Sequence, residues 1–367
     1  MESCTYGIDL EVSPESFFPN TASKVTSKPI QCDAGPCTAV LSHSLEPKAM
    51  PEKPPIVLTI AGFDPSSGAG VTADIKTIAA HACYGVACIT ALTVQSTSGV
   101  KRAQAVDPAL ISDTLEELAA DLEIAAVHIG MLGSAKVVKA VADFLSTQPG
   151  KRSSQSGNAR LPNIVLDPIL KSSSGADLLD AAGTRLLIER LIPLADVVTP
   201  NVDEAAAITG LKVTDLDEMK AAAAKLHAMG ASAVVITGGH LEKATDLLSF
   251  TTKRGSPEMA ESLAHSEELG IEAELGKGME PQFDQEVFKA ERQRSNSTHG
   301  TGCAFATAMA CHLALDRGLA EATLLAKTYV TAAITNAHPL GRGTGPVHHL
   351  YRMGQQRRAA GSGGEKS

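Results

Sequence analysis

Positive charge is in deficit in this chain. Across 367 residues, 32 Lys and Arg stand against 41 Asp and Glu, a formal net charge of -9. Nucleic acids and anionic lipid surfaces are held by clustered Lys and Arg that displace counterions, so neither is an expected partner. Long hydrophobic runs are missing too. No stretch approaches the roughly 18 to 20 apolar residues of a membrane-spanning helix, and residues 1–20 lack a basic start followed by an apolar run. A cytoplasmic protein without membrane contact is expected. Cysteine is sparse: seven residues, an odd number at irregular spacing, do not form a disulfide framework. Cys4, Cys32 and Cys37 lack the paired short spacings of a zinc site and read as free thiols. Two nucleotide signatures are also absent. No G-x4-G-K-[ST] occurs, and the glycines of residues 62–70 run G-x5-G-x-G, which argues against a P-loop ATPase and a Rossmann dehydrogenase.

What is present supports a large core, with 44% hydrophobic residues. Residues 56–61 (IVLTIA) are a short β-branched run stopped by Gly62, as in a strand buried on both faces. Further strand-like runs fall at 86–93, 126–130, 163–166, 197–199 and 233–237. Between them lie helical periodicities at 107–120, 135–145, 177–191 and 215–229. This alternation predicts an α/β domain, doubly wound about a mostly parallel sheet. Residues 1–53 show no sustained period and read as a disordered extension, and residues 352–367 as a solvated tail. Residues 147–162 and 253–294 interrupt the rhythm and read as surface insertions. The domain is expected over 54–351.

The strongest chemical signal is His299-Gly300-Thr301-Gly302-Cys303, which runs into a helical stretch at 304–315. Glycines permit close backbone approach, and first-turn helix amides have no internal acceptor, so the segment is suited to an anion. Cys303 lies at the positive end of that helix, a position that lowers a thiol's pKa and makes it a candidate proton acceptor. A second glycine-rich loop, Gly62 to Gly70 with Asp64 and Ala69, follows the first strand and opens a helix carrying Asp74 and Lys76. Both loops are expected at one crevice beyond the strand ends. Asn201 and Glu204 follow a strand as N-x-x-E. They suit hydrated Mg2+, which takes few protein ligands; they equally suit a helix cap with an acidic first turn. His128, His240 and the adjacent His348 and His349 read as structural.

These segments, with 59–76, 89–97, 129–132, 165–168, 199–205, 237–241, 299–303 and 345–349 in order, resemble the hydroxymethylpyrimidine and phosphomethylpyrimidine kinases of the ribokinase-like superfamily. The resemblance implies a three-layer αβα domain without a separate lid, a homodimer, and ATP and Mg2+ as cofactors. It implies phosphorylation of a pyrimidine hydroxymethyl group, and in many members of the monophosphate too. By the same resemblance Gly62, Asp64, Ala69, Gln95, Met131 and Ile169 belong to the pyrimidine pocket. Gln95 is suited to an amidine edge because it donates and accepts. Cys303 would be the base, Gly300, Thr301 and Gly302 the anion hole, Asp74 a second acidic group at the reacting centre, and Glu204 the magnesium organiser. Asn201, Thr237, Gly239, Lys171 and Arg342 would attend the nucleotide. Many relatives carry Lys where this chain has Thr237 and Ser173, so two phosphate-side cations are missing, with Lys171 and Arg342 as candidate substitutes. A pyridoxal kinase and a retired kinase that only binds the vitamin precursor are the competing readings.

Overall fold

The computed structural model describes residues 6–9, 53–147, 161–172, 175–239, 244–251, 283–290, 292–293 and 295–353. Every described strand joins one sheet, in the order β1-β10-β9-β8-β7-β6-β5-β2-β3-β4. The central strands are β2 (Ile56–Phe63), β3 (Tyr84–Ser96), β5 (Ile124–Ile129), β6 (Ile164–Leu166), β7 (Val197–Val198) and β8 (Ala233–Ile236). They pair parallel to one another. β4 (Gly99–Ala105), β9 (Ala244–Thr251) and β10 (Phe283–Ala290) pair antiparallel at the two sides. β1 (Tyr6–Asp9) adds a parallel edge beside β10.

Alternate side chains on a strand point to opposite faces, which is why these strands read as continuous apolar runs rather than as an alternation. Leu58, Ile60, Val127, Ile129, Ile164, Leu166, Val234 and Ile236 face one layer of helices. That layer holds α2 (Pro108–Asp121), α3 (Ala135–Thr147), α4 (Ala181–Leu186), α5 (Val202–Thr209) and α6 (Leu216–Ala228). Val57, Ala126 and Val165 face the other way, as does Val235. There they meet α1 (Gly70–Ala80), α7 (Thr301–Ala314) and α8 (Leu319–Thr335). The three-layer α/β architecture expected from the sequence is the one observed.

Several expectations need correction. The segment 253–294 is not wholly an insertion, because its end is β10, whose Val287 and Phe288 are buried on opposite faces of the sheet. Two apolar residues among Asp284, Glu286 and Lys289 give no two-residue alternation, so the strand was hidden. Tyr6–Asp9, within the extension expected to be disordered, is a strand, and Arg352 and Met353 belong to a helical turn rather than to a tail. The rest of the extension, the tail, and residues 148–160 and 252–282 lie outside the described residues. The helix expected at 177–191 begins only at Ala181, where the Asp180 carboxylate caps it by accepting from the Gly183 amide at 2.6 Å, and it widens into a π turn over Leu187–Leu191.

Candidate active site

The carboxyl ends of β2, β5, β6, β7 and β8 open into one cavity of about 1710 Å³. This is the place where an open α/β sheet holds ligands. The two glycine-rich loops meet here in direct contact. Gly300, the residue before α7, has φ +81, and a Cβ there would lie 1.8 Å from the Gly68 carbonyl oxygen, so both the conformation and the contact require glycine. His299 completes the junction, donating its Nε2 proton to Asp64 Oδ2 at 2.8 Å.

Asp64 is the hub of the first loop. Its Oδ1 accepts from the Ser66 amide and hydroxyl at 2.8 and 2.7 Å. Its Oδ2 accepts from Gly68 and Ala69 amides at 3.3 and 3.0 Å as well as from His299. Burial opposes its charge, but the bonds from His299 and Ser66 outweigh burial and hold its pKa below the usual value. Asp64, itself on the cavity wall, thus ties its own loop to His299.

On the expected pyrimidine side, Gly62, Ala69, Gln95, Met131 and Ile169 all line the cavity. Met131 packs under Gly62, where a Cβ would meet its sulfur at 2.8 Å. Gln95 takes a hydrogen bond on Oε1 from the Thr93 hydroxyl at 3.2 Å, and its Nε2 lies 3.2 Å from the His299 ring. Because the His299 Nε2 proton goes to Asp64, that nitrogen offers Gln95 no lone pair.

At the expected reacting centre, Gly300, Thr301, Gly302 and Cys303 line the cavity at the start of α7; the Thr301 amide donates to the Thr298 carbonyl at 3.3 Å, and those of Gly302 and Cys303 lie in the first turn, where helix geometry supplies no intrahelical acceptor. The Cys303 thiol departs from the sequence expectation. It is only 9% exposed, and burial, then Asp167 and Asp74, push its pKa well above the ordinary value despite the helix N-terminus. Asp167, at the end of β6, lines the cavity and accepts a hydrogen bond from this thiol. Its own pKa is raised well above the carboxylate range by burial first and then by Glu204 and Asp74. Sequence reasoning quoted Asp167 without giving it a role. The signal was an acid directly after an apolar strand, at the end where ligands sit.

Asp74 itself does not reach the cavity. It is fully buried beneath it, accepting from Thr59 at 2.7 Å and Thr307 at 2.9 Å, with His128 Nδ1 3.4 Å away. Its charge acts on Cys303 and Asp167 from below.

Asn201 and Glu204 do both things their pattern allowed. They form a capping box on α5: Asn201 Oδ1 accepts from the Glu204 amide at 2.9 Å, and Glu204 Oε2 accepts from the Asn201 amide at 3.0 Å. Both also line the cavity. The Glu204 pKa is pushed up to about 7 by burial, with amide bonds from Asn201 and Leu170 opposing and Asp203 adding to the rise. Buried acids that repel one another, as Glu204 and Asp167 do, fit a divalent cation that is held mainly by water and phosphate. Among the described residues no cluster of three or more His, Cys, Asp or Glu forms a closed metal site. Thr237, Gly239 and Lys171 are on the cavity wall. Lys171 is exposed and 3.6 Å from Asp177, a pairing of little energetic weight. Arg342 is exposed and is not part of this wall, though Thr344 of the same loop is. Arg292 and Lys327, which sequence reasoning passed over, are on it.

This arrangement defines a small-molecule kinase of ribokinase-like fold. The pyridoxal kinase of Bacillus subtilis, solved as an ADP complex, matches with a TM-score of 0.64 and 29% identity over 82% of this chain and 100% of that one. A hydroxymethylpyrimidine/phosphomethylpyrimidine kinase of Haemophilus influenzae is 35% identical over 295 residues, 80% of this chain and 96% of that protein. A bifunctional thiamine biosynthesis protein of Geobacter sulfurreducens is 38% identical over 297 residues, of whose length this chain spans 52%. The sequence model for phosphomethylpyrimidine kinase matches residues 64–268 and 279–348. The chain belongs to the phosphomethylpyrimidine kinase family.

Proposed function

We propose that this protein transfers the γ-phosphoryl group of ATP to the hydroxymethyl group of 4-amino-5-hydroxymethyl-2-methylpyrimidine, and then to its monophosphate, in thiamine biosynthesis. The observation that carries the reading is the joining, in one cavity, of a pocket with an amide side chain, Gln95, to the Gly302 and Cys303 amides in the first turn of α7. Gln95 donates to and accepts from the pyrimidine amidine edge, and Met131 and Ile169 cover its ring. The amides of Gly302 and Cys303 stabilise the phosphoryl group in flight, where positioning and charge neutralisation do most of the catalytic work. Glu204 would hold a hydrated Mg2+, which would supply neutralisation of the phosphate charge. As the hydroxyl oxygen attacks phosphorus, its proton passes to the Cys303 sulfur while the thiol gives its own proton to the Asp167 carboxylate. ADP leaves.

Turnover of hydroxymethylpyrimidine and pyridoxal at equal concentration tests the substrate. A large preference for the pyrimidine is expected, and comparable rates would refute it. The pyridoxal reading keeps its place as the alternative because of the structural match to that enzyme class. Intact Cys303, Asp167 and Glu204 speak against a retired kinase. We place the protein in the cytoplasm, in keeping with its free Cys83, Cys88, Cys303 and Cys311; among the described residues no helix is long and apolar enough to cross a membrane. It acts as a homodimer, for which the edge hairpin β3–β4 is the candidate surface: Ile89, Leu92 and Val94 are exposed there.

A further inference from the structure

At the end of the cavity beside Thr237, the end the kinase reading gives to the nucleotide, a lysine reaches the wall from another element. Lys327, on α8, lines the cavity with its side chain only 7% exposed. Its Nζ donates to Asp246 Oδ2 at 2.7 Å and to the Ala244 carbonyl at 3.2 Å. An ammonium has three protons, so two acceptors among the described residues leave one for a ligand. Asp246, on β9 and equally buried, spends its other oxygen on the Gly238 amide at 3.0 Å. That bond fixes the turn after β8, whose Gly239 is on the cavity wall, while the preceding Thr237 donates its amide to the Pro200 carbonyl at 2.9 Å, next to Asn201. A chain of bonds therefore runs from α8 through Asp246 to the turn facing the α5 cap.

Burying an ion pair recovers little net stability, and an apolar pair of the same volume serves a core as well or better. A pair kept at the rim of a cavity, with one donor unspent, has a different use. The occupant of this end follows from distance. β8 and β2 are four strand spacings apart in the sheet, about 19 Å, so Lys327 is remote from Gln95 and Met131 and lies at the far end from the acceptor pocket. The neighbouring wall residues Thr331 and Ile334 follow Lys327 at one and two helical turns, giving a strip that carries one charge and then becomes apolar. This suits a nucleoside polyphosphate rather than a second small acid.

We infer that Lys327 is a cation of the nucleotide end: it donates to the bound nucleotide and, through Asp246, sets the Gly238–Gly239 turn against it. The inference rests on the kinase reading for its choice of ligand, so its test is binding rather than turnover. Affinities for the ATP analogue AMP-PCP and for hydroxymethylpyrimidine are measured separately on wild type, on Lys327→Met, and on Lys327→Met/Asp246→Leu, which leaves no unpaired carboxylate and guards against simple misfolding. Thermal melting certifies that each is folded. The expected result is AMP-PCP binding weaker by about 10-fold or more in both variants, the loss of one charge-assisted hydrogen bond, with pyrimidine affinity unchanged. In steady state the KM for ATP rises with little change in kcat, and Lys327→Arg recovers part of the loss. Unchanged AMP-PCP binding in the folded double variant overturns the inference, as does an equal loss for both ligands. A wild type that binds AMP-PCP but phosphorylates neither pyrimidine overturns the kinase reading instead, and the variants' AMP-PCP affinities still decide the role of Lys327.

Discussion

At the scale of single residues, the site depends on a thiol and two acids, Cys303, Asp167 and Glu204, whose pKa values burial raises. The place of Cys303 at a helix start suggests an easily formed thiolate, and the structure gives the opposite, because burial first, and then the neighbouring carboxyls of Asp167, Asp74 and Glu204, push its pKa up. A sequence shows the helix start but not the acids that the fold gathers around it. Cys303→Ala is expected to lower kcat by about 100-fold or more while pyrimidine affinity stays near wild type, the pattern of a group needed only in the transition state. Steady-state kinetics beside direct binding checks this. Unchanged turnover removes Cys303 from the proton's path. Lys327 was missed for a related reason: a lone lysine in an apolar helical stretch reads as a surface residue until β9 places Asp246 against it.

At the scale of elements, the parallel strands were legible because each is a β-branched run ended by glycine, proline or an acid. The polar edges were not. β4 (GVKRAQA) has five of seven residues exposed and no apolar pattern, and β10 has two buried side chains facing opposite ways. The glycine loops were legible as loops and as neighbours, though the sequence did not show that they touch. Gly300 is the tightest point of that contact. Gly300→Ala, strained at φ +81 and driven into the Gly68 carbonyl, is expected to cost about 2 kcal/mol or more and to abolish turnover by moving the start of α7. Thermal unfolding and activity measured together check it, and a variant of wild-type stability and rate would mean that the junction tolerates displacement.

At the scale of the whole molecule, the layer holding α7 and α8 conceals a set of neutral histidines. His81 packs against His312 and Tyr329 with ring centroids 4.9 and 4.6 Å apart. Burial, then the Arg352 charge, drops its pKa from 6.5 to about 3, with the bond to the Thr77 carbonyl opposing. His349 is lowered to about 4 by burial and by Lys76. Both are depressed in the folded state, so between pH 6.5 and about 4 the unfolded chain binds protons that the folded chain refuses. Stability is then full above pH 6.5 and is lost as pH falls, by up to about 1.4 kcal/mol per pH unit for each histidine. Denaturant titrations across this range check the slope, and His81→Leu is expected to flatten it; an unchanged slope would mean that other groups set it. The same scale includes assembly. Leu92→Asp on the exposed β3 face is expected to convert a dimer to a monomer in light scattering, and a variant that stays dimeric moves the interface elsewhere.

The central claim is tested most directly by incubating the purified protein with ATP, Mg2+ and hydroxymethylpyrimidine and following the pyrimidine by mass. The account predicts the monophosphate first and then the diphosphate, with ADP released at each step. A pyrimidine that remains unphosphorylated while pyridoxal is converted would contradict it.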